Sequence, residues 1–224
     1  MIKIGPGVFT FTGLIAGRVY AIRDSDGVTL IDAGIPIAAA RIMKQLTQSG
    51  FQVSDIKRIL ITHAHPDHVG SIPALKKVSG AEVIISKLEA PVLAGEIPIP
   101  RTERRLRPPK TFLKNMKADR TLQDGDVLPE VMNGLQAIAT PGHAPGHTAF
   151  WQPDQRLLFC GDTIFNIPRK MRLPPAFLTV DMAEDIRSIK KLAALEPTVI
   201  CFGHGKPITH NAAQQLQAFA NTLM

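Results

Sequence analysis

Six consecutive residues, His63-Ala64-His65-Pro66-Asp67-His68, hold three imidazoles and a carboxylate. These are the side chains that bind a borderline divalent cation such as zinc. Buried imidazole and carboxylate need partners, and a dication supplies one for all of them. His63 and His65 are two apart, so in an extended segment they project to the same side and can reach one ion. Pro66 fixes φ and suits the first turn of a helix. That turn aims Asp67 and His68 elsewhere, toward a second position, so one short segment can serve two neighbouring metals.

Three later apolar runs each end in a further donor. Residues 135–139 lead to Thr140-Pro141-Gly142-His143, residues 157–160 to Gly161-Asp162, and residues 199–202 to Gly203-His204-Gly205. A glycine precedes each donor, where the chain must turn sharply and approach a site closely. His63, His65, Asp67, His68, His143, Asp162 and His204 are too many for one tetrahedral zinc. They suit two ions sharing a bridging carboxylate. His147, four residues past His143, reads as a structural group or one that supports a ligand. His210 reads as a surface residue. Asp32 is either a turn residue or a carboxylate that holds a ligand histidine by its free ring nitrogen.

The elements that must position these donors are legible in the hydrophobic pattern. Short β-type runs at 8–12, 18–22 and 28–31 precede Asp32-Ala33-Gly34, with a hairpin turn expected at Asp26-Gly27. A helix is expected over 36–49, stopped by Gly50. Residues 59–62 form a buried strand that feeds His63. Residues 66–78 have helical spacing with Gly80 as the stop, and Pro73 predicts a kink or an early break. Residues 83–85 form another buried strand. In the second half, strands are expected at 134–139, 147–152, 157–161 and 198–202. Helices are expected over 183–195, with Asp181 as N-cap, and over 211–223. Two halves of similar order predict two βα units packed sheet to sheet with helices outside.

The 224 residues suffice for one large domain or two small ones, and 45% hydrophobic with 20% charged residues is an ordinary globular balance. No apolar run approaches the ~20 residues that span a bilayer. The first residues lack the apolar core of a secretory signal, so a cytoplasmic location is expected. Cys160 and Cys201 lie in apolar runs and read as buried free thiols. The net charge of +7 is concentrated between residues 101 and 120, where eight basic residues face two acidic ones. With its prolines, the stretch at about 88–120 reads as a basic insertion over one face of a single domain spanning 1–224. Its charge is either a solvated face or a rim for an anionic substrate or nucleic acid.

The series His63-x-His65-x-Asp67-His68, His143, Asp162, His204, with Asp32-Ala33-Gly34 and Gly161-Asp162-Thr163, resembles the metallo-β-lactamase superfamily over nearly the full chain. The resemblance implies an α+β fold, a four-layer αββα sandwich with a dinuclear site at the sheet edge. It places His63, His65 and His143 on the first metal, and Asp67, His68 and His204 on the second. Asp162 bridges them, and Asp32 supports a ligand. The bridging aspartate is not the pattern of true β-lactamases of this fold. His65 stands where the diiron flavoprotein branch has glutamate, which favours hydrolysis over redox chemistry. The segments at 140–143 and 161–165 look most like the glyoxalase II and lactonase branches. The chain offers no separate C-terminal helical domain of the kind glyoxalase II uses for glutathione, which counts against a glutathione thioester.

The expected cofactors are two divalent ions, zinc first, with manganese or iron as alternatives. Such ions lower the pKa of a bridging water from ~15.7 toward ~7. The expected reaction is attack of that hydroxide on the carbonyl of a small-molecule carboxylic ester, lactone or thioester. Asp67 is the catalytic residue that orients the nucleophile. Phe165, Leu173, Phe177 and Leu178 are expected to wall the substrate pocket. The alternatives are a phosphodiesterase or nuclease of the same fold, a mononuclear iron persulfide dioxygenase, and a non-enzymatic binding module, which would need a degraded site. The basic stretch holds one aromatic for stacking bases, Phe112, so a nucleic-acid partner is the lesser expectation. No membrane partner is expected, and the sequence does not specify an oligomeric state.

Overall fold

In the computed structural model, residues 1–105, 113 and 116–223 are described. The first half folds as β1 (Ile2–Gly5), β2 (Val8–Thr10), β3 (Tyr20–Asp24), β4 (Gly27–Ile31), α1 (Ala38–Gln48), β5 (Ile56–Leu60), α2 (Pro66–Val69), α3 (Ile72–Ser79), β6 (Glu82–Ser86) and α4 (Ala90–Ala94). There follow β7 (Arg120–Leu122), β8 (Val127–Leu128), β9 (Leu135–Ala139), β10 (Thr148–Gln152), β11 (Leu157–Asn166), β12 (Met171–Arg172), α5 (Met182–Ala193), β13 (Val199–Gly205) and α6 (Ala212–Asn221).

Strands β1 to β7 make one seven-stranded sheet in sequence order, and β12-β11-β10-β9-β8 with β13 beside β11 make a six-stranded sheet. Alternation along each strand sorts side chains between two faces. Tyr20, Ile22, Ile31, Leu60 and Ile84 from the first sheet meet Leu135, Ala137, Phe150, Leu157 and Phe159 from the second in the central core. The alternate residues Ala21, Leu30, Ile59, Val83 and Ile85 face Ile42 and Leu46 of α1 and Ile72 and Leu75 of α3. On the far side Ala149, Trp151, Leu158 and Cys160 pack against Ile189 and Leu192 of α5 and Leu216 of α6. The layers are therefore helix, sheet, sheet, helix, the expected αββα sandwich. Cys160 and Cys201 are buried and free. Among the described residues no helix is long and apolar enough to cross a membrane.

Several boundaries differ from expectation for local reasons. The hairpin turn is Ser25-Asp26, because Asp24 pairs with Gly27 across the ladder and Gly27 opens β4. The helix expected over 66–78 is two helices, broken at Gly70-Ser71. Pro73 lies in the first turn of α3, where its missing N–H costs nothing. Strand β11 runs past residue 161 to Asn166, with register shifts around Gly161 against β13. Asp181 caps α5 as expected, its carboxylate accepting the N–H of Glu184 at 2.9 Å.

Within the stretch at 88–120, Ile99 and Leu113 are buried in the core between the first sheet and its helices. Arg101, Arg104, Arg105 and Lys117 are exposed, and Arg120 pairs with Glu82 and Glu130. Arg107, Lys110, Phe112 and Lys114 lie outside the described residues.

Candidate metal centre

The donors gather at one edge of the sandwich, past the end of β5 and along β11 and β13, and each arrives by its own local device. Strand β5 ends at Leu60, and the extended residues that follow carry His63 and His65 to the edge. His65 is the N-cap residue of α2, with extended backbone, and Pro66 starts that helix, so Asp67 and His68 leave in new directions. His143 sits in the turn between β9 and β10, Asp162 within β11 and His204 within β13.

Two glycines make this approach possible. Gly161 has a φ of +52°, a left-handed backbone that disfavours side chains, and a Cβ there would press on the ring of His147. A Cβ on Gly203 would run into Oδ1 of Asp162.

Three donor groups could each hold an ion: His63, His65 and His143; His63, His68 and Asp162; and Asp67, His68 and His204. In each group one donor atom per residue lies within 4.8 Å of the others. The Asp162 carboxylate is central. Its Oδ2 stands 3.2 Å from His204 Nε2, 3.6 Å from His143 Nε2 and 4.0 Å from His63 Nε2, while Oδ1 stands 3.4 Å from His68 Nε2. Asp67 Oδ2 is 3.0 Å from His204 Nε2 and 3.6 Å from His68 Nε2. His65 Nδ1 and His143 Nε2 are 3.1 Å apart.

The fit to cations rests on unsatisfied atoms. His63 Nε2, His68 Nε2 and Asp162 Oδ1 are buried without a hydrogen-bond partner among the described residues. Orphaned buried polar atoms are costly unless something pairs with them. Here the orphans are ring nitrogens and a carboxylate oxygen facing one another, a donor set that suits zinc or a similar ion.

Electrostatics divides the histidines into two classes. Burial pushes His63 and His143 well below the ordinary imidazole range, and His65 to about 4, so these rings are neutral. Burial also opposes charge on His68, but the carboxylates of Asp162, Asp67 and Asp32 outweigh it and hold this ring well above the usual value. His204 is likewise penalised by burial and lifted by Asp162 and Asp67, to about 9. Burial alone would raise both aspartates, yet His68 and His204 hold Asp162 well below the carboxylate range and Asp67 at about 2. Without an ion, then, protons on His68 and His204 neutralise the two carboxylates.

Supporting groups surround the donors. Asp32, at a φ of +61°, is both the turn residue after β4 and a partner of His68. His147 accepts the backbone N–H of Asp162 at Nε2 (3.0 Å), which leaves its proton on Nδ1 to donate to Thr140 Oγ1 at 2.7 Å. It is therefore a neutral ring, pushed by burial to about 3, that holds the Asp162 backbone in place. His210 is exposed, apart from the cluster.

The four apolar residues expected around the substrate differ in placement. Phe165 stacks on His204 with ring centroids 4.5 Å apart. Leu173 packs against the core between the second sheet and its helices. Phe177 is exposed and Leu178 half-buried, in a loop whose Thr179 hydroxyl lies 3.5 Å from His143 Nδ1. Sequence reasoning missed the other wall. The loop between β2 and β3 supplies Phe11, Leu14, Ile15 and Arg18 to a cleft of about 240 Å³ that reaches His204 and Ile167. Residues 11–18 have no strand or helix periodicity, so no local signal marks this wall. Two buried carboxylates were also missed. Glu89 accepts the N–H of Ala64 at 2.9 Å and of Gly146 at 3.0 Å. Asp185 lies against Gly142, and burial lifts its carboxyl to about 8 despite the backbone N–H of His143.

Comparison with known proteins agrees with this geometry. The family model described as the metallo-beta-lactamase superfamily matches residues 12–204. A probable metallo-hydrolase, YflN of Bacillus subtilis, is 31% identical, over 97% of this chain and 91% of its own length. A hydroxyacylglutathione hydrolase of Methylobacterium nodulans is 32% identical over 80% of this chain, but only 59% of that protein is covered. Among solved structures, BJP-1, a subclass B3 metallo-beta-lactamase of Bradyrhizobium japonicum, aligns over 99% of this chain and 89% of its own, with 27% identity and a TM-score of 0.74.

Proposed function

The chain belongs to the metallo-β-lactamase superfamily and is a metal-dependent hydrolase, and from that premise we propose that it works with two divalent ions on a carboxylic ester, lactone or thioester. The observation that supports the reading is the Asp162 carboxylate, which stands among histidines of both donor sets: its Oδ2 faces His63, His143 and His204, and its Oδ1 faces His68. His63, His65 and His143 would hold one ion, and Asp67, His68 and His204 the other, with Asp162 available to both. Zinc fits this donor set first, manganese or iron next.

Such ions, when bound, supply a water acidified toward neutrality and polarise a carbonyl. The remaining work belongs to the chain. Asp67 is held ionised by its histidine neighbours, so it accepts a hydrogen bond from the attacking water and orients it, then carries a proton to the leaving group. Asp32 fixes the His68 ring and His147 fixes Asp162. Phe165 and the loop at residues 11–18 shield the cleft and receive the substrate's apolar part.

The test is metal analysis of the purified protein together with a panel of lactones, thioesters and bis-nitrophenyl phosphate. Two ions per chain and cleavage of the carboxylic substrates support the reading. Preference for the phosphodiester moves the protein to the phosphodiesterase class, and a single iron to the dioxygenase class.

A further inference from the structure

Glu89 lies outside every donor group, yet its carboxylate spans the two halves of the site. Oε2 accepts the N–H of Ala64, the residue between His63 and His65, at 2.9 Å. Oε1 accepts the N–H of Gly146, in the turn that carries His143, at 3.0 Å. The side chain is buried, and no cation pairs with it among the described residues. A buried carboxylate without a counter-charge is expensive, and here the two N–H groups are what it holds. Ser86, the last residue of β6 and three residues before Glu89, adds a second tie: its hydroxyl donates to Gly146 O at 2.6 Å and accepts the N–H of Glu89 at 3.3 Å.

We propose that Glu89 is a positioning residue for the first metal position, setting the distance between the His63-His65 segment and His143. It acts through backbone rather than through an imidazole, and it does not touch the Asp67, His68 and His204 position. The proposal rests on the two-ion reading above.

The test measures cobalt(II) affinity by chelator competition in two backgrounds. His204→Ala leaves the His63, His65 and His143 position complete, and His143→Ala leaves the other. Glu89→Gln keeps the volume, but its NH2 must face one of the two N–H groups. The expected result is a fall of about ten- to a hundredfold in the first background, with an altered cobalt absorption spectrum, and less than twofold in the second. Equal losses in both backgrounds, or none in either, overturn the proposal. If Glu89→Gln does not fold, Ser86→Ala removes only the hydroxyl tie. It should weaken the first position selectively, and an unchanged affinity overturns the proposal. Should the wild-type chain take up a single ion, the two-ion reading fails by itself, and the effect of Glu89 on the His63, His65 and His143 position is still measured.

Discussion

His68 Nδ1 stands 2.8 Å from Asp32 Oδ2, and the other oxygen of that carboxylate accepts the backbone N–H of Thr62 at 2.9 Å. One side chain thus ties the strand leading to the histidine cluster to the ring that faces Asp162. Replacing Asp32 with Ala frees the ring to rotate. Affinity for a divalent ion at the Asp67, His68 and His204 position should fall about ten- to a hundredfold, read by competition with a chelator. Unchanged affinity would show that packing alone orients His68.

Asp67→Asn keeps the size of the side chain and removes its charge and basicity. Turnover should fall by about two to four orders of magnitude in metal-loaded protein. Metal content must be measured on the same sample, so that a lost ion is not mistaken for a lost base. Near-normal rates in the loaded variant would remove Asp67 from the reaction.

Ion uptake should release protons. His68 and His204 carry protons in the metal-free chain at neutral pH, and a ligand imidazole must be neutral. Calorimetric titration of zinc in two buffers of different ionisation enthalpy should give different apparent heats at pH 7. The difference should shrink as pH rises through about 9, where His204 loses its proton without help. Identical heats at pH 7 in both buffers would contradict the charged rings.

The same shifts set a pH slope for stability. His204 titrates at about 9 in the folded chain, above the ~6.5 of a free imidazole. Its contribution is therefore complete below pH ~6.5 and is lost as pH rises through about 9. His68 is raised too and loses its contribution in the same direction. Asp185 stays protonated to about 8, so its cost to the fold also grows with pH up to that point. The metal-free protein should melt at progressively lower temperature from pH 6.5 to 9. The loaded protein should show a flatter profile, because its imidazoles are already neutral. A metal-free Tm that rises across this range would refute the assignment.

Gly203→Ala places a methyl group against Asp162 Oδ1. The backbone at 203 is tied by its carbonyl to the N–H of Arg18 at 2.7 Å, so it cannot easily withdraw. The variant should lose about 1–3 kcal/mol of stability, as for an overpacked core, and metal should bind more weakly. Thermal melting and metal analysis check the two effects separately.

Much of this molecule was legible in its residue order. Period-two alternation in residues 28–31 and 157–160 sorts Leu30 and Leu158 to the helix-facing layers and Ile31 and Phe159 to the centre. The donors announced themselves by chemistry, and the strand ends that bear them could be read from the apolar runs before each one. What stayed hidden depends on contacts between distant segments. Glu89 looks like any helix-flanking acid until the fold brings Ala64 and Gly146 to it. Gly70 gave no local sign of ending α2, because the constraint is Pro36 lying against it. The cleft loop at residues 11–18 has no periodicity, and only its position beside His204 gives it meaning.

The two donor sets each join the two halves of the polypeptide: His63 and His65 wait for His143, and Asp67 and His68 wait for His204. Neither sheet alone can offer a complete chelate. A captured cation is thus a certificate that the sandwich has closed, and a nascent chain that has not yet formed the second sheet would lack a complete donor set. Metal occupancy in this protein doubles as an inspection of its own assembly.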